Sequence, residues 1–197
     1  CPATTSFTIT EPPLLIPNGS ISSNYNGQDI SCLGEDDGEI TGSVTGGTLP
    51  YTYSLDGITY GSSAIFSGLL AGTHTVYYKD NNDCNTSETF TLTDPPDLSG
   101  ALTITQQVSC NGVADGEIQF IVNNINIGTP GYSYSIDNGA NFQNSNTFSG
   151  LLGGIPAIQY TIIVKDANGC ESFASISLSE PTEIVFSASS SDFNGFG

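Results

Sequence analysis

Positive charge is almost missing from this chain. Two lysines, no arginine and one histidine stand against 20 acidic residues, giving a formal net charge of -18. A nucleic acid or an anionic membrane needs a basic face on its partner, so neither is expected here. Methionine and tryptophan are absent. Without Trp the chain lacks the usual ring for a dedicated carbohydrate platform, although Tyr can stack on sugars. No apolar run approaches the ~20 residues of a membrane span, so direct membrane insertion is not expected. No signal peptide or sorting tail is visible, as expected of an internal fragment. A single histidine, His74, gives no reproducible Ser-His or Cys-His set, and no paired carboxylates sit in an evident cleft. An enzyme is therefore not expected.

What is present is repetition. Both lysines open the same phrase, KDNNDC from Lys79 and KDANGC from Lys165. Lys165 minus Lys79 is 86, and Cys170 minus Cys84 is 86 as well. CPATTSFTITEPP from Cys1 matches CNTSETFTLTDPP from Cys84 and CESFASISLSEPT from Cys170, and Cys84 minus Cys1 is 83. Upstream, SCLGEDDGEI matches SCNGVADGEI, YTYSLDG matches YSYSIDNG, and IFSGLLAG matches TFSGLLGG. The tail SSSDFNGFG is similar to SSNYNGQDI. A fixed period of this kind governs every later inference. The expected layout is residues 1–11 as the last strand of a preceding repeat, 12–95 and 96–181 as two whole repeats, and 182–197 as the first strand of a following one.

Within a repeat, Val, Ile, Tyr and Phe recur at intervals of two between Gly, Pro, Asn and Asp turns, which is β patterning. Ile40 and Val44 alternate inward from GEITGSVT. Tyr51, Tyr53 and Leu55 share a face of PYTYSLDG, and Asp56-Gly57 is a hairpin signal. A short ITY and AIFSGL follow; THTVYYKD buries His74, Val76 and Tyr78; SETFTLTD buries Phe90 and Leu92. No helical period occurs. About seven short strands per repeat describe an all-β, Ig-like sandwich of the PKD or fibronectin-III kind, repeated in tandem as an elongated array. The phrases EPP, DPP and EPT are short and stiff, so they punctuate the repeats without a flexible tether.

The ordered set SC-x-G-x-x-DG, then PYTYS-x-D or GYSYS-x-D, then F-S-G-L-x-x-G, then K-D-x-N-x-C resembles the SprB repeat of the very long surface adhesins of gliding bacteria. The second repeat departs from it in NINIGTPGY and in the insertion GGIPAIQ, both of which alter loops and leave the frame intact. The resemblance implies a filamentous, outer-membrane-associated surface protein, exported by the type IX secretion route and used in gliding motility and attachment. Neighbouring repeats of the same long chain are the implied partners, with surface polysaccharide as a further one. Two other readings stand beside this: a glycan- or polymer-binding module, and a passive spacer of a large secreted multidomain protein.

Five cysteines at repeat-register positions suit an oxidising, extracellular setting. Two pairings are open. Cys32 with Cys84 and Cys110 with Cys170 would close one loop per repeat, each adding roughly 3 to 4 kcal/mol if unstrained. A strictly Ig-like order puts those partners at opposite ends of the sandwich, and then Cys32 meets Cys170 better; if the short ITY is not a separate crossing strand, the parity changes and the bridge within each repeat returns, and free thiols are the remaining reading. Either way the partner of Cys1 lies outside the chain. Asp37, Glu39 and Asp80 correspond to Asp115, Glu117 and Asp166, a set of hard oxygens able to hold Ca²⁺, although Asp and Asn also simply make turns. An isopeptide bond needs a buried lysine; alternation turns Lys79 and Lys165 outward. Tyr51, Tyr53, Phe66, Tyr132, Tyr134 and Phe148 read as core. Tyr25, Tyr60, Tyr77 and Phe142 are the candidates for an aromatic surface.

Overall fold

The computed structural model describes residues 4–189, and the expectations for Cys1 and for the tail from residue 190 lie outside them. Among the described residues there is no helix. The first repeat holds β1 (Ile16–Pro17), β2 (Ser20–Ile21), β3 (Gly38–Thr41), β4 (Val44–Thr45), β5 (Thr52–Ser54), β6 (Ile65–Leu69), β7 (Gly72–Lys79) and β8 (Asn85–Leu92). The second holds β9 (Leu98–Gln106), β10 (Gly116–Ile127), β11 (Ser133–Ser135), β12 (Thr147–Leu151), β13 (Ile158–Lys165) and β14 (Glu171–Leu178).

Each repeat builds two three-stranded sheets. Their orders are β2-β3-β6 and β5-β7-β8 in the first, and β9-β10-β12 and β11-β13-β14 in the second. The long β9 and β10 stand where the first repeat has the broken strands β1–β2 and β3–β4. Side chains from both sheets of the first repeat meet in one core, in which Ile30, Ile40, Val76 and Tyr78 are fully buried and Leu15, Val44, Leu69 and Leu92 nearly so. Tyr53 and Tyr78 pack edge to face within it, centroids 5.8 Å apart. Ile118, Ile162, Val164 and Leu178 occupy the matching positions in the second repeat, and Phe120 is fully buried where the first repeat has Gly42. This is the Ig-like β-sandwich that the period-two pattern predicts.

Compactness does not follow the repeat boundaries. One compact unit comprises Cys1–Leu98 together with Ile125–Gly131 and Asp166–Cys170, and the other comprises Ser99–Asn124, Tyr132–Lys165 and Glu171–Gly197. Asp166–Cys170, the phrase KDANGC without its lysine, thus belongs to the first unit.

Strand register fixes where each cysteine can go. Gly38 pairs with Leu69, and Gly72 with Leu92, so the Ser31-Cys32 loop and the end of β8 share one end of the sandwich. Lys79 pairs with both Thr52 and Asn85, which puts Cys84 at the other end. Eight residues of β8 span ~26 Å at 3.3 Å each, far beyond the ~7 Å a disulfide tolerates. The short ITY, Ile58 to Tyr60, forms no strand. The chain instead reverses after Ser54 so that Tyr53 bridges Gly61 antiparallel, and β6 then runs in its required direction. That reversal does the work of a crossing strand and keeps Cys32 and Cys84 apart.

Three smaller expectations are corrected. Leu55 is exposed and Ser54 is buried, because the chain has already entered its turn there. Phe90 is only partly buried, packed on the rim of the core. His74 is half-exposed and its Nε2 lies 2.9 Å from the Leu70 carbonyl; it holds a turn and is not a core residue. Tyr160 repeats that contact in the second repeat, its hydroxyl donating to Leu152 O at 2.9 Å.

Candidate functional site

The phrase K-D-x-N-x-C is a preformed loop, built the same way in both repeats. Asp80 accepts from the backbone N–H groups of Asn82 at 2.8 Å and Cys84 at 2.9 Å through Oδ1, and from Thr48 N–H at 2.8 Å through Oδ2. Asp166 accepts from Asn168 at 2.9 Å, Cys170 at 2.9 Å and Thr129 at 2.8 Å. Both aspartates are buried, at 4% and 5% exposure, and a buried carboxylate must be satisfied in this way. At Asp80 burial acts to raise the pKa, but the three N–H donors prevail and hold it below the usual carboxylate range. The Asn side chains are positioned alike: Asn82 Nδ2 donates to Thr48 Oγ1 and Asn168 Nδ2 to Thr129 Oγ1, each at 3.0 Å.

The Ser-Cys loop is equally regular. Asp37 Oδ1 accepts from Ser31 N–H at 3.1 Å, and Asp115 Oδ1 from Ser109 N–H at 3.0 Å. Contacts with Ser109 lower the pKa of Asp115. Glu39 accepts from the Ser22 hydroxyl at 2.8 Å, and Glu117 from the Thr105 hydroxyl at 2.6 Å. The glycine of DGEI is needed for space. A Cβ on Gly38 would stand 2.7 Å from Leu69 O and from the Ile30 and Leu92 side chains; on Gly116 it would stand 2.4 Å from Leu178. Tyr25 donates to Asp37 O at 3.0 Å, and burial, with the nearby Asp37, raises its pKa. Gln106 donates to Asp115 O at 2.7 Å in its place.

The acid-Pro phrases have a role that their sequence does not announce. Asp94 accepts from Gly34 N–H at 3.1 Å, and Glu180 from Gly112 N–H at 2.8 Å. Each repeat's exit acid therefore caps that repeat's own Ser-Cys loop.

Of the two open cysteine pairings, the structure contains Cys32–Cys170, with Cα atoms 5.6 Å apart and 138 residues between them in sequence. Neither Cys32–Cys84 nor Cys110–Cys170 forms, for the register reason above. Among the described residues Cys84 and Cys110 are exposed free thiols. Polar contacts surround the bond: Asn168 Nδ2 lies 3.2 Å from both Tyr25 O and Ser31 O, and Asn26 Nδ2 donates to Asn168 Oδ1 at 2.6 Å. The Asn of K-D-x-N-x-C carries these contacts. Its recurrence in the phrase was the available signal, although nothing in the spacing assigns it a partner.

The six carboxylates put forward for Ca²⁺ are not gathered. Among the described residues no group of three or more His, Cys, Asp or Glu side chains is placed to hold a metal ion. Asp37, Glu39, Asp80, Asp115, Glu117 and Asp166 each accept hydrogen bonds from their own loop or neighbouring strand, as turn-forming acids do. The lysines are partly covered: Lys79 lies 4.3 Å over the Tyr60 ring and 3.7 Å from Asp83, and Lys165 lies 4.8 Å over the Phe142 ring and 2.9 Å from Glu171. Tyr60 and Phe142 thus serve as lids for lysines, and Tyr25 as a loop prop. Each S-x-D of the hairpins closes on itself, with Ser54 donating to Asp56 at 2.6 Å and Ser135 to Asp137 at 2.7 Å.

The fold and its loops define tandem Ig-like sandwiches whose cysteine loops share the same aspartate-centred hydrogen bonds. The SprB repeat family model matches the chain twice, over residues 24–59 and 102–141, once in each sandwich. The chain is thus similar to the SprB repeat in two regions, which together span less than half of its length. Its structure is also similar to domains 4 and 5 of the S-layer protein SbsC, at 14% identity, a TM-score of 0.30, and coverage of 86% of this chain and 100% of that one. The N-terminal eight Ig domains of Down syndrome cell adhesion molecule match at 14% identity and a TM-score of 0.33, over 85% and 25% of the two chains. The fibronectin(III)-like modules of Clostridium thermocellum CbhA match at 11% identity and a TM-score of 0.29, over 83% and 95%. Scores this low carry nothing about activity. No curated protein matches the sequence.

Proposed function

We propose that this chain is a non-catalytic segment of a filamentous cell-surface adhesin used in gliding motility and surface attachment. The observation that carries the reading is the pair of successive SprB repeat matches. Supporting it are the charge of -18, which suits a solvated surface protein, and cysteines that suit an oxidising exterior. Type IX export, association with the outer membrane and contact with surface polysaccharide belong to the same proposal. The mechanical role is to present sandwiches whose loops are rigid before any partner arrives, since each buried Asp has already satisfied its loop's N–H groups.

The test uses the organism's own protein. Antibodies against this segment should label intact cells, and deletion of its gene should abolish surface attachment and movement while cell growth continues. Deleted cells that glide and adhere normally would overturn the proposal. A glycan array probed with the purified chain separates the readings further: retained binding by the isolated segment would make it a glycan-binding module instead.

A further inference from the structure

Cys84 and Cys110 are the positional twins of Cys170 and Cys32, yet they are free and exposed while their twins are bonded. We propose that the Thr48–Asn82–Cys84 loop is a docking end for the Ser-Cys loop of another SprB repeat, sealed by a disulfide to that loop's cysteine, and that Cys110 is the complementary end. The proposal rests on the repeat assignment and is independent of any adhesive role.

The occupied form of this site is visible in the same molecule. Around Cys170 the loop offers Asp166, Asn168 and Thr129, and it holds Tyr25 O and Ser31 O through Asn168 and Cys32 through the disulfide. Around Cys84 the loop offers Asp80, Asn82 and Thr48 with the same bonds, at distances that agree to about 0.1 Å. Asp80 N–H donates to Cys84 O, and Asp166 N–H to Cys170 O, both at 3.0 Å. Only the cover differs. Asn168 and Cys170 are half-buried and Thr129 is buried, whereas Asn82 and Cys84 are exposed and Thr48 is half-buried. The surface beside Cys84 is a concavity of about 340 Å³ lined by Pro12, Pro13, Leu15, Asp80, Asn85 and Thr86. On the complementary side, Ser109 and Cys110 are exposed where Ser31 and Cys32 are half-buried. The second repeat has no counterpart of the Tyr25-Asn26 turn, so the contacts it retains are the Ser109 carbonyl and the Cys110 sulfur.

The chemistry is thiol–disulfide exchange with a low-molecular-weight disulfide as oxidant. The Cys84 thiolate attacks that disulfide, forming a mixed disulfide and releasing one small thiol. The thiolate of the docked Ser-Cys loop then attacks the Cys84 sulfur, forming the protein disulfide and releasing the second small thiol. Two protein thiols are oxidised, one small disulfide is reduced to two thiols, and the two protons leave with those thiols.

The experiment uses the whole chain with Cys1→Ser, incubated in a glutathione redox buffer with a second copy of itself as the probe. Non-reducing gels should show oligomers, and peptide mapping should find Cys84–Cys110 far in excess of Cys84–Cys84 and Cys110–Cys110, with Cys32–Cys170 intact. Asn82→Ala, and the isosteric Asn82→Asp, should slow Cys84–Cys110 formation about tenfold through loss of the docking hydrogen bonds. Alkylation of Cys84 by a small reagent should be unchanged in Asn82→Ala, which adds no charge beside the thiol. A statistical mixture of the three pairings, glutathione adducts on monomers only, or equal rates in the Asn82 variants would overturn the proposal.

Discussion

Asp137 shows how much a single side chain does in this fold. Its carboxylate accepts from the Ser135 hydroxyl at 2.7 Å and from the Asn141 backbone and side-chain amides at 2.9 and 2.7 Å. Ser135 first, and then Asn141, lower its pKa from 3.8 to about 2. A carboxylate with a depressed folded-state pKa contributes stability above its unfolded value, and that contribution disappears as the pH falls through the folded value. The melting temperature should therefore hold at neutral pH and drop from about pH 4 toward pH 2. Asp137→Asn should melt lower than the parent at pH 7 and lose less on further acidification. Parallel acid limbs in thermal melts of the two proteins would reject that role.

Strand placement depends on glycines that are there for room. Gly38 begins β3 with Leu69 O and the Ile30 and Leu92 side chains packed over it, and its φ is not positive. Gly38→Ala should thus cost about 1–3 kcal/mol through overpacking. Gly61, which also has no positive φ, would meet nothing within 4 Å. Gly61→Ala should be neutral or stabilise by about 0.4–1 kcal/mol through the unfolded chain. Urea midpoints of the two variants give the comparison, and equal shifts would show that space at Gly38 is not limiting. The same layout accounts for the fixed DGEI phrase, in which the Asp holds a backbone N–H, the Gly admits the core, the Glu bonds a strand hydroxyl and the Ile fills the sandwich.

For the molecule as a whole, the long-range restraint is Cys32–Cys170, which ties residues 138 apart within the first compact unit. Closing so large a loop restricts the unfolded chain strongly, and its removal should cost about 2–5 kcal/mol. Urea unfolding of the Cys32→Ser/Cys170→Ser protein, and of the parent with a reductant, should show matching losses. An unchanged midpoint in both would mean that the bond contributes nothing to stability. Surface ion pairs cannot substitute for it, since Lys79–Asp83 and Lys165–Glu171 are exposed pairs worth about 0–1 kcal/mol each.

The all-β class, the repeat frame and most of the core were legible in the sequence, because alternation of Ile, Val and Tyr is set by the two-residue period of a strand. Val76, Tyr78, Leu92 and Val164 lie where that period puts them. Ser54 and Leu55 do not, because a side-chain-capped turn interrupts the alternation, and periodicity is blind to such turns. His74 was misplaced for a related reason: its ring reaches a turn carbonyl at the strand's start, where the core has ended. The phrase K-D-x-N-x-C could be found by its repetition, and its Asp and Cys singled out as chemistry. Which cysteine it meets could not be read there, since spacing along a chain says nothing about which end of a sandwich a loop occupies. That was decided by strand register: β8 carries Cys84 a full strand length away from Cys32, and the fold brings Cys170 to it instead.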